Sequence, residues 1–300
     1  MSHVRRLVVL LSVLLALTGC GSSGPPPPST LLFVSSRDGD YAIFGLSANG
    51  DEHRITKAKG DASTPAGLFF QTEPAWSPDG RRIAFVSRRD GRAHIYVMRA
   101  NGTGPRRLTS SAPDDSSPTW SSDGSRIAFS RVGELFAVSS RGGPARRIGE
   151  GVGGEALDPD WSPDGKLIAY DYRPPGYSIR EIWVVGADGK RPRRVTRLRE
   201  VSTRPTWSPN GRRIAFQSDA QGGHVEIYSI GLNGKGLRRV TRSAIDTFDP
   251  AWSPDGGRIA FSRNGAIWAV DRAGHERKLT SGKNDAAPVW RPRQHRLARP

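Results

Sequence analysis

The stretch EPAWSPDGRRIAFVS, residues 73–87, decides the fold because the chain keeps writing it. SPTWSSDGSRIAFS begins at 117, DPDWSPDGKLIAY at 158, RPTWSPNGRRIAF at 204 and DPAWSPDGGRIAF at 249. A sixth start, APVWRPR from 287, breaks off after its tryptophan. The repeat tryptophans Trp76, Trp120, Trp161, Trp207, Trp252 and Trp290 are spaced 44, 41, 46, 45 and 38 residues apart. A period of roughly 40 to 45 residues with several strands per unit is that of a propeller blade.

One unit divides into four short strands: PAWS (74–77), RIAFVS (82–87), HIYVMRA (94–100) and PRRLTS (105–110), here A to D. SPDG joins A to B and ANGTG joins C to D, and Asp-Gly and Asn-Gly suit tight turns that need positive φ. No segment of the repeat region sustains a helical period, so the region is all-β. The aromatic residues of strands A, B and C read as core between face-packed blades.

Counting strands explains the broken sixth copy. LLFVSS at 31 aligns with RIAFVS, so the first unit supplies B, C and D but no A, while APVW supplies an A alone. One blade is therefore expected to be built from both chain ends, which hides two sheet edges. The expectation is a six-bladed β-propeller of four-stranded antiparallel blades, closed by the C-terminal strand.

Ahead of the repeats, MSHVRRLVVLLSVLLALTGC places Arg5 and Arg6 before an apolar run from Leu7 to Leu17. This is the order of a secretory signal peptide, and the run is too short for a spanning helix. Leu17, Thr18, Gly19 and Cys20 resemble a lipobox, which makes Cys20, the only cysteine in 300 residues, the expected lipidation site. GSSGPPPPST then reads as a tether. The expected division is signal peptide at 1–19, lipidated cysteine and tether at 20–30, and propeller at 31–300, with the protein exported and lipid-anchored at the cell envelope.

The pattern P-x-W-S-P-D-G-x-x-I-A-F, followed by a hairpin, I-Y and R-L-T, resembles the propeller repeat of TolB, the periplasmic component of the Tol-Pal envelope system. The resemblance implies a non-catalytic scaffold that binds an envelope protein or peptide. TolB carries an α/β domain ahead of its propeller that has no counterpart in this sequence.

The residues offer little to a catalyst. No G-x-S-x-G elbow occurs, and the histidines are scattered without metal-ligand spacing. Asp79, Asp123, Asp164 and Asp255 recur, but each precedes a glycine at the same turn and Asn210 fills the same slot, so turn chemistry accounts for them. No cofactor or metal is expected. A hydrolase or lyase using the channel mouth remains the enzymatic alternative. The net charge of +16 also allows a receptor for anionic wall polymer, whereas export and the lack of a nucleic-acid motif argue against nucleic acid. The pairs Arg106/Arg107, Arg146/Arg147, Arg193/Arg194 and Arg238/Arg239 fall on the outermost strand, where charge guards an open edge.

The A-to-B and C-to-D turns share one face and are nearly uniform, while the B-to-C and D-to-A loops share the other and vary. Binding residues favour such loops. The candidate partner-binding residues are therefore Phe69, Phe70, Tyr172 and Tyr177 on long loops, with Glu73, Asp158, Arg204 and Asp249 in one repeat slot before the strand A proline.

Overall fold

The computed structural model describes residues 29–56, 71–110, 113–149, 153–220, 223–282 and 284–293, and these form 24 strands in six four-stranded antiparallel sheets. The blades are numbered from the chain's first strand. In blade 1 the order is β24 (Asp285–Trp290), β1 (Ser29–Ser35), β2 (Ala42–Ser47) and β3 (Glu52–Arg54), so the last strand of the chain is the inner strand of the first blade. Blades 2 to 6 each use four consecutive strands.

Two features hold the tail strand in place. Leu31 pairs with Trp290 and Leu32 with Val289, and the Arg291 amide continues the ladder to the Thr30 carbonyl at 2.9 Å. At the other end of the strand, Arg37 forks both oxygens of Asp285 at 2.7 and 2.8 Å, and its other nitrogen pairs with Glu52. Asp285 is fully buried, so this bidentate contact is what satisfies its charge.

Each blade face packs against the next. The buried apolar residues fall into six clusters, and each cluster joins two neighbouring blades. The strand B aromatic slot, occupied by Phe33, Phe85, Phe129, Phe216 and Phe261, is completely buried, and Tyr170 fills it in blade 4. Above this layer, the first residue of strand B lies over the tryptophan of the following blade. Arg82 covers Trp120 at 4.7 Å, Arg126 covers Trp161 at 4.9 Å and Arg258 covers Trp290 at 5.3 Å. Leu167 packs on Trp207 in the corresponding place. Trp76 is covered at 5.1 Å by Arg291 from the tail, which also donates to the Gly80 carbonyl at 2.8 Å. The ring thus closes with the same cation-π contact that joins blades 2 and 3, 3 and 4, and 6 and 1.

Turn chemistry is as expected for the recurring aspartates. Ser77 donates to Asp79 at 2.5 Å, and the same carboxylate oxygen accepts the Arg81 amide. The arrangement repeats at Ser121/Asp123, Ser162/Asp164, Ser208/Asn210 and Ser253/Asp255. Gly80 follows with φ of 64°, which a side chain would oppose.

Three expectations change. Strand D is shorter than PRRLTS and consists of Arg106–Arg107 alone, because the next two residues turn inward: Leu108 is buried and the Thr109 hydroxyl accepts the Ile95 amide. The arginine pairs do more than guard an edge. Arg107, Arg147, Arg194 and Arg239 each pair with a carboxylate of their own blade, while Arg106, Arg193 and Arg238 donate to a carbonyl of the next blade. Trp290, like Trp252, is only partly buried.

Replacing Asp285 with Ala leaves Arg37 without its main partner at the seam, and should cost about 3 kcal/mol. Deleting residues 286–300 should lower the melting temperature much further and promote aggregation, since it bares the ladder edge of β1. Trp290→Ala should cost about 2 kcal/mol, below the range for a fully buried ring. Thermal melts of the three variants check the seam, and an unchanged melting temperature for the deletion contradicts it.

Candidate functional site

The slot before the strand A proline lies inside the strand. In blade 2, strand β4 runs from Gln71 to Trp76, and its pairing with strand B slips between Thr72 and Ala75. The extra residue forms a β-bulge with Glu73 at φ 53°. All six blades repeat it: Ser117, Asp158, Arg204, Asp249 and Ala287 have φ of 52°, 48°, 53°, 55° and 49°. Positive φ is uncommon outside glycine, and the residue before a proline ordinarily stays extended. Six such residues in register make a constraint of the ring, and bulges re-aim side chains.

The bulge residues converge. Together with the prolines and the next position of each strand A, they line a central cavity of about 180 Å³. Ser117 links two carboxylates, its amide donating to Glu73 Oε2 at 2.6 Å and its hydroxyl to Asp158 Oδ1 at 2.6 Å. Arg204 Nη1 reaches Asp249 at 3.1 Å, and its Nε lies 3.9 Å from Asp158. The second Asp249 oxygen accepts from Ser262 at 2.7 Å and from the Ala287 amide at 3.2 Å. Three carboxylates therefore share one guanidinium in a chain whose overall charge is strongly positive.

The electrostatics follow from that crowding. Burial pushes the Glu73 carboxyl above its ordinary range, while Arg204 and the Ser117 amide draw it back. Arg204 is held more firmly charged than usual, first by Asp249 and then by Asp158 and Glu73. Its side chain is 39% exposed, so water reaches it through the mouth. Two further acids stand behind the ring. Asp160, on the cavity wall, is pushed up to about 6 by desolvation, although Trp207, Thr119 and Thr206 donate to it. Asp171 is buried and pushed up to about 7 by desolvation and by Asp158, against its 2.8 Å contact with Arg180. Sequence reading passed over both; in Asp160 the signal was an acid where the other blades carry Ala, Thr or Val.

Tyr172 is not a surface residue. It is buried in the cluster between blades 3 and 4, edge-on to Trp183 at 5.3 Å. Strand B of blade 4 runs on to Arg173, which carries Tyr172 onto the same side as the core residue Tyr170. Tyr177 is 69% exposed on the B-to-C loop. Phe69, Phe70 and Cys20 lie outside the described residues. The exposed large apolar residues Tyr41, Val132, Tyr177, Val201 and Ile245 lie on B-to-C or D-to-A segments, Phe248 lies near the start of strand A of blade 6, and Leu237 lies by a C-to-D turn. Among the described residues no group of three or more His, Cys, Asp or Glu is arranged to hold a metal ion.

The profile of the TolB beta propeller domain matches residues 68–179 and 151–297. The chain belongs to that family. An uncharacterized protein of Agrobacterium fabrum is 27% identical over 192 residues, which are 61% of this chain and 64% of that protein. A TolB homolog of Chlorobium luteolum is 28% identical over 203 residues, covering 66% of this chain but 33% of the homolog. The chain thus spans less than two thirds of either relative. The crystal structure of TolB from Acinetobacter baumannii superposes with a TM-score of 0.73 at 20% identity, over 90% of this chain and 69% of that one. Structures of enzymes share the propeller too, with TM-scores of 0.55 and 0.57. The fold alone therefore does not choose between binding and catalysis.

Because Asp160 is protonated at higher pH folded than unfolded, the folded state binds more protons between about pH 4 and pH 6. Its contribution to stability accordingly falls as pH rises through that window. Asp160→Asn should match the parent near pH 4 and exceed it by about 1 kcal/mol above pH 6, a figure discounted for the water that reaches the cavity. Denaturant melts at the two pH values check this, and an equal difference at both contradicts the raised carboxyl.

Proposed function

We propose that this chain is a non-catalytic binding protein of the cell envelope, whose loop-bearing face and channel mouth hold a protein or peptide partner. The observation that carries the reading is the convergence of the six bulge residues on one mouth. Three carboxylates there share one guanidinium, which leaves excess negative charge within reach of water. A partner that inserts a lysine, an arginine or a free amino terminus would complete the ring. The exposed apolar side chains around the same face supply the surface for the rest of such a segment, with Tyr177 as an aromatic anchor.

Membership of the TolB beta propeller domain family supports a scaffold of this kind. Signal-like residues 1–19 and Cys20 support export and a lipid anchor at the membrane, with residues 21–28 as a tether. Cys20→Ser should move the protein from the membrane to the soluble fraction, or stall its maturation, and fractionation identical to the parent would contradict the anchor.

The enzymatic reading, a hydrolase or lyase at the mouth, rests on Asp160 and Asp171, since raised carboxyls suit proton transfer. A receptor for anionic wall polymer fits less well, because most of the strand D arginines are already engaged.

Affinity capture from intact envelopes, followed by measurement of the captured partner's affinity, tests the proposal. Asp158→Asn and Tyr177→Ala should each weaken binding about tenfold, roughly 1.4 kcal/mol, with little change in melting temperature. A charge swap at Arg106 should matter much less. Unchanged affinity for both mouth-face variants overturns the reading. Strong salt dependence together with loss of binding in the Arg106 variant favours the polymer receptor.

A further inference from the structure

At the seam between blades 5 and 6 the tryptophan lacks the guanidinium that covers it at four of the other five seams. Arg213 holds the strand B slot whose residue elsewhere covers the next tryptophan, but it does not stack over Trp252. It turns back into its own blade, donating from Nη2 to the Ser229 carbonyl at 2.8 Å and the Gly236 carbonyl at 2.7 Å, and from Nε to the Ser229 hydroxyl at 3.3 Å. The cause is legible in the strand C neighbour. In the other blades the position of Ser229 is Gly45, Val97, Ala137, Val184 or Ala269, and none of these carries a hydroxyl to hold the arginine. The space left over Trp252 belongs to a cleft of about 590 Å³, on the face of the A-to-B and C-to-D turns and away from the channel mouth.

The cleft is strongly cationic. Arg213, Arg238, Arg258 and Arg272 line it, and among the described residues none of the four is in an ion pair. Arg238 donates to the Arg272 carbonyl at 2.9 Å and Arg272 to the Gly256 carbonyl at 3.0 Å. Arg258 lies over Trp290. Asp255 and Asp271 also line the cleft, but their own turns occupy them: Asp255 accepts from Ser253 and the Gly257 amide, and Asp271 from the Ala273 and His275 amides. Four guanidiniums held by carbonyls and by a ring face outnumber these two carboxylates and leave the cleft net positive, and guanidinium suits carboxylate and phosphate. The indole of Trp252 is partly exposed in the same cleft, and a tryptophan face takes a flat ring.

We propose that the cleft between blades 5 and 6 is a binding site for a small anion carried on a six-membered ring whose face packs on the indole, of which a uronic acid saccharide unit, through its C–H face, and an aryl phosphate are the two chemical sources. The ring stacks where a guanidinium sits at four of the other five seams, and the acid group meets the arginines. The site is independent of the partner proposed for the mouth.

Titration calorimetry on the purified propeller-bearing chain with glucuronate and with phenyl phosphate tests this, with glucose and inorganic phosphate as controls. At least one ring anion should bind at least tenfold more tightly than both controls. Binding of glucuronate alone points to a saccharide source, and binding of phenyl phosphate alone to an aryl phosphate. Ser229→Val, which places the blade 2 residue in blade 5, should free Arg213 to cover Trp252 and weaken binding at least tenfold without lowering the melting temperature. Arg238→Gln serves if that variant fails to fold, and should weaken the anions while leaving the glucose titration unchanged. Inorganic phosphate binding as tightly as the ring anions, no binding by either ring anion, or unchanged affinity in the folded variant overturns the proposal.

Discussion

The pairing of the last strand with the first blade is the contact on which the rest of this structure depends. Without Asp285–Trp290 on the inner edge of Ser29–Ser35, the bulge ring would have five members and the core shared by blades 1 and 6 would lose its cover from Trp290. The seam is reinforced at both ends by charge, through the Arg37 fork on Asp285 and through Arg291 over Trp76. The tail replaces the serine of W-S-P-D-G with Arg291 at this one position, so the cover that strand B gives at most other seams is supplied to Trp76 by the closing strand itself.

Closure in turn sets the chemistry of the mouth. A bulge with positive φ before a proline is unfavourable in isolation, and the ring holds six of them because each inner strand is fixed by two neighbours. The return is that one side chain per blade is aimed at a common centre. The repeat then varies those positions freely: two aspartates, a glutamate, a serine, an alanine and an arginine occupy equivalent geometry. A scaffold that keeps its backbone constant while changing six convergent side chains is suited to specificity, and three of the six in this copy are carboxylates.

The period, the four strands of each blade, the turn role of the repeated aspartates and the shared blade could all be read from residue spacing, because each is a local pattern repeated several times. The bulge could not, since the residue before a proline is expected to be extended and only the closed ring enforces otherwise. Tyr172 was within reach: it stands two residues after the core position Tyr170, and a strand alternates. Taking residues 171–180 as a loop hid that alternation. The fold-back of Arg213 depends on Ser229 in the adjacent strand, a pairing that needs the register and not only the sequence. The raised carboxyl of Asp171 depends likewise on its burial and on Asp158 approaching from another segment.

Hydrogen exchange on the captured complex tests the central claim, that the loop face and the mouth do the binding, most directly. The account predicts that the partner slows exchange at amides of the bulge strands and the B-to-C loops, including those around Asp158 and Tyr177, while the SPDG and Asn-Gly turns exchange as in the free protein. Protection confined to those turns, with the mouth unchanged, would contradict it.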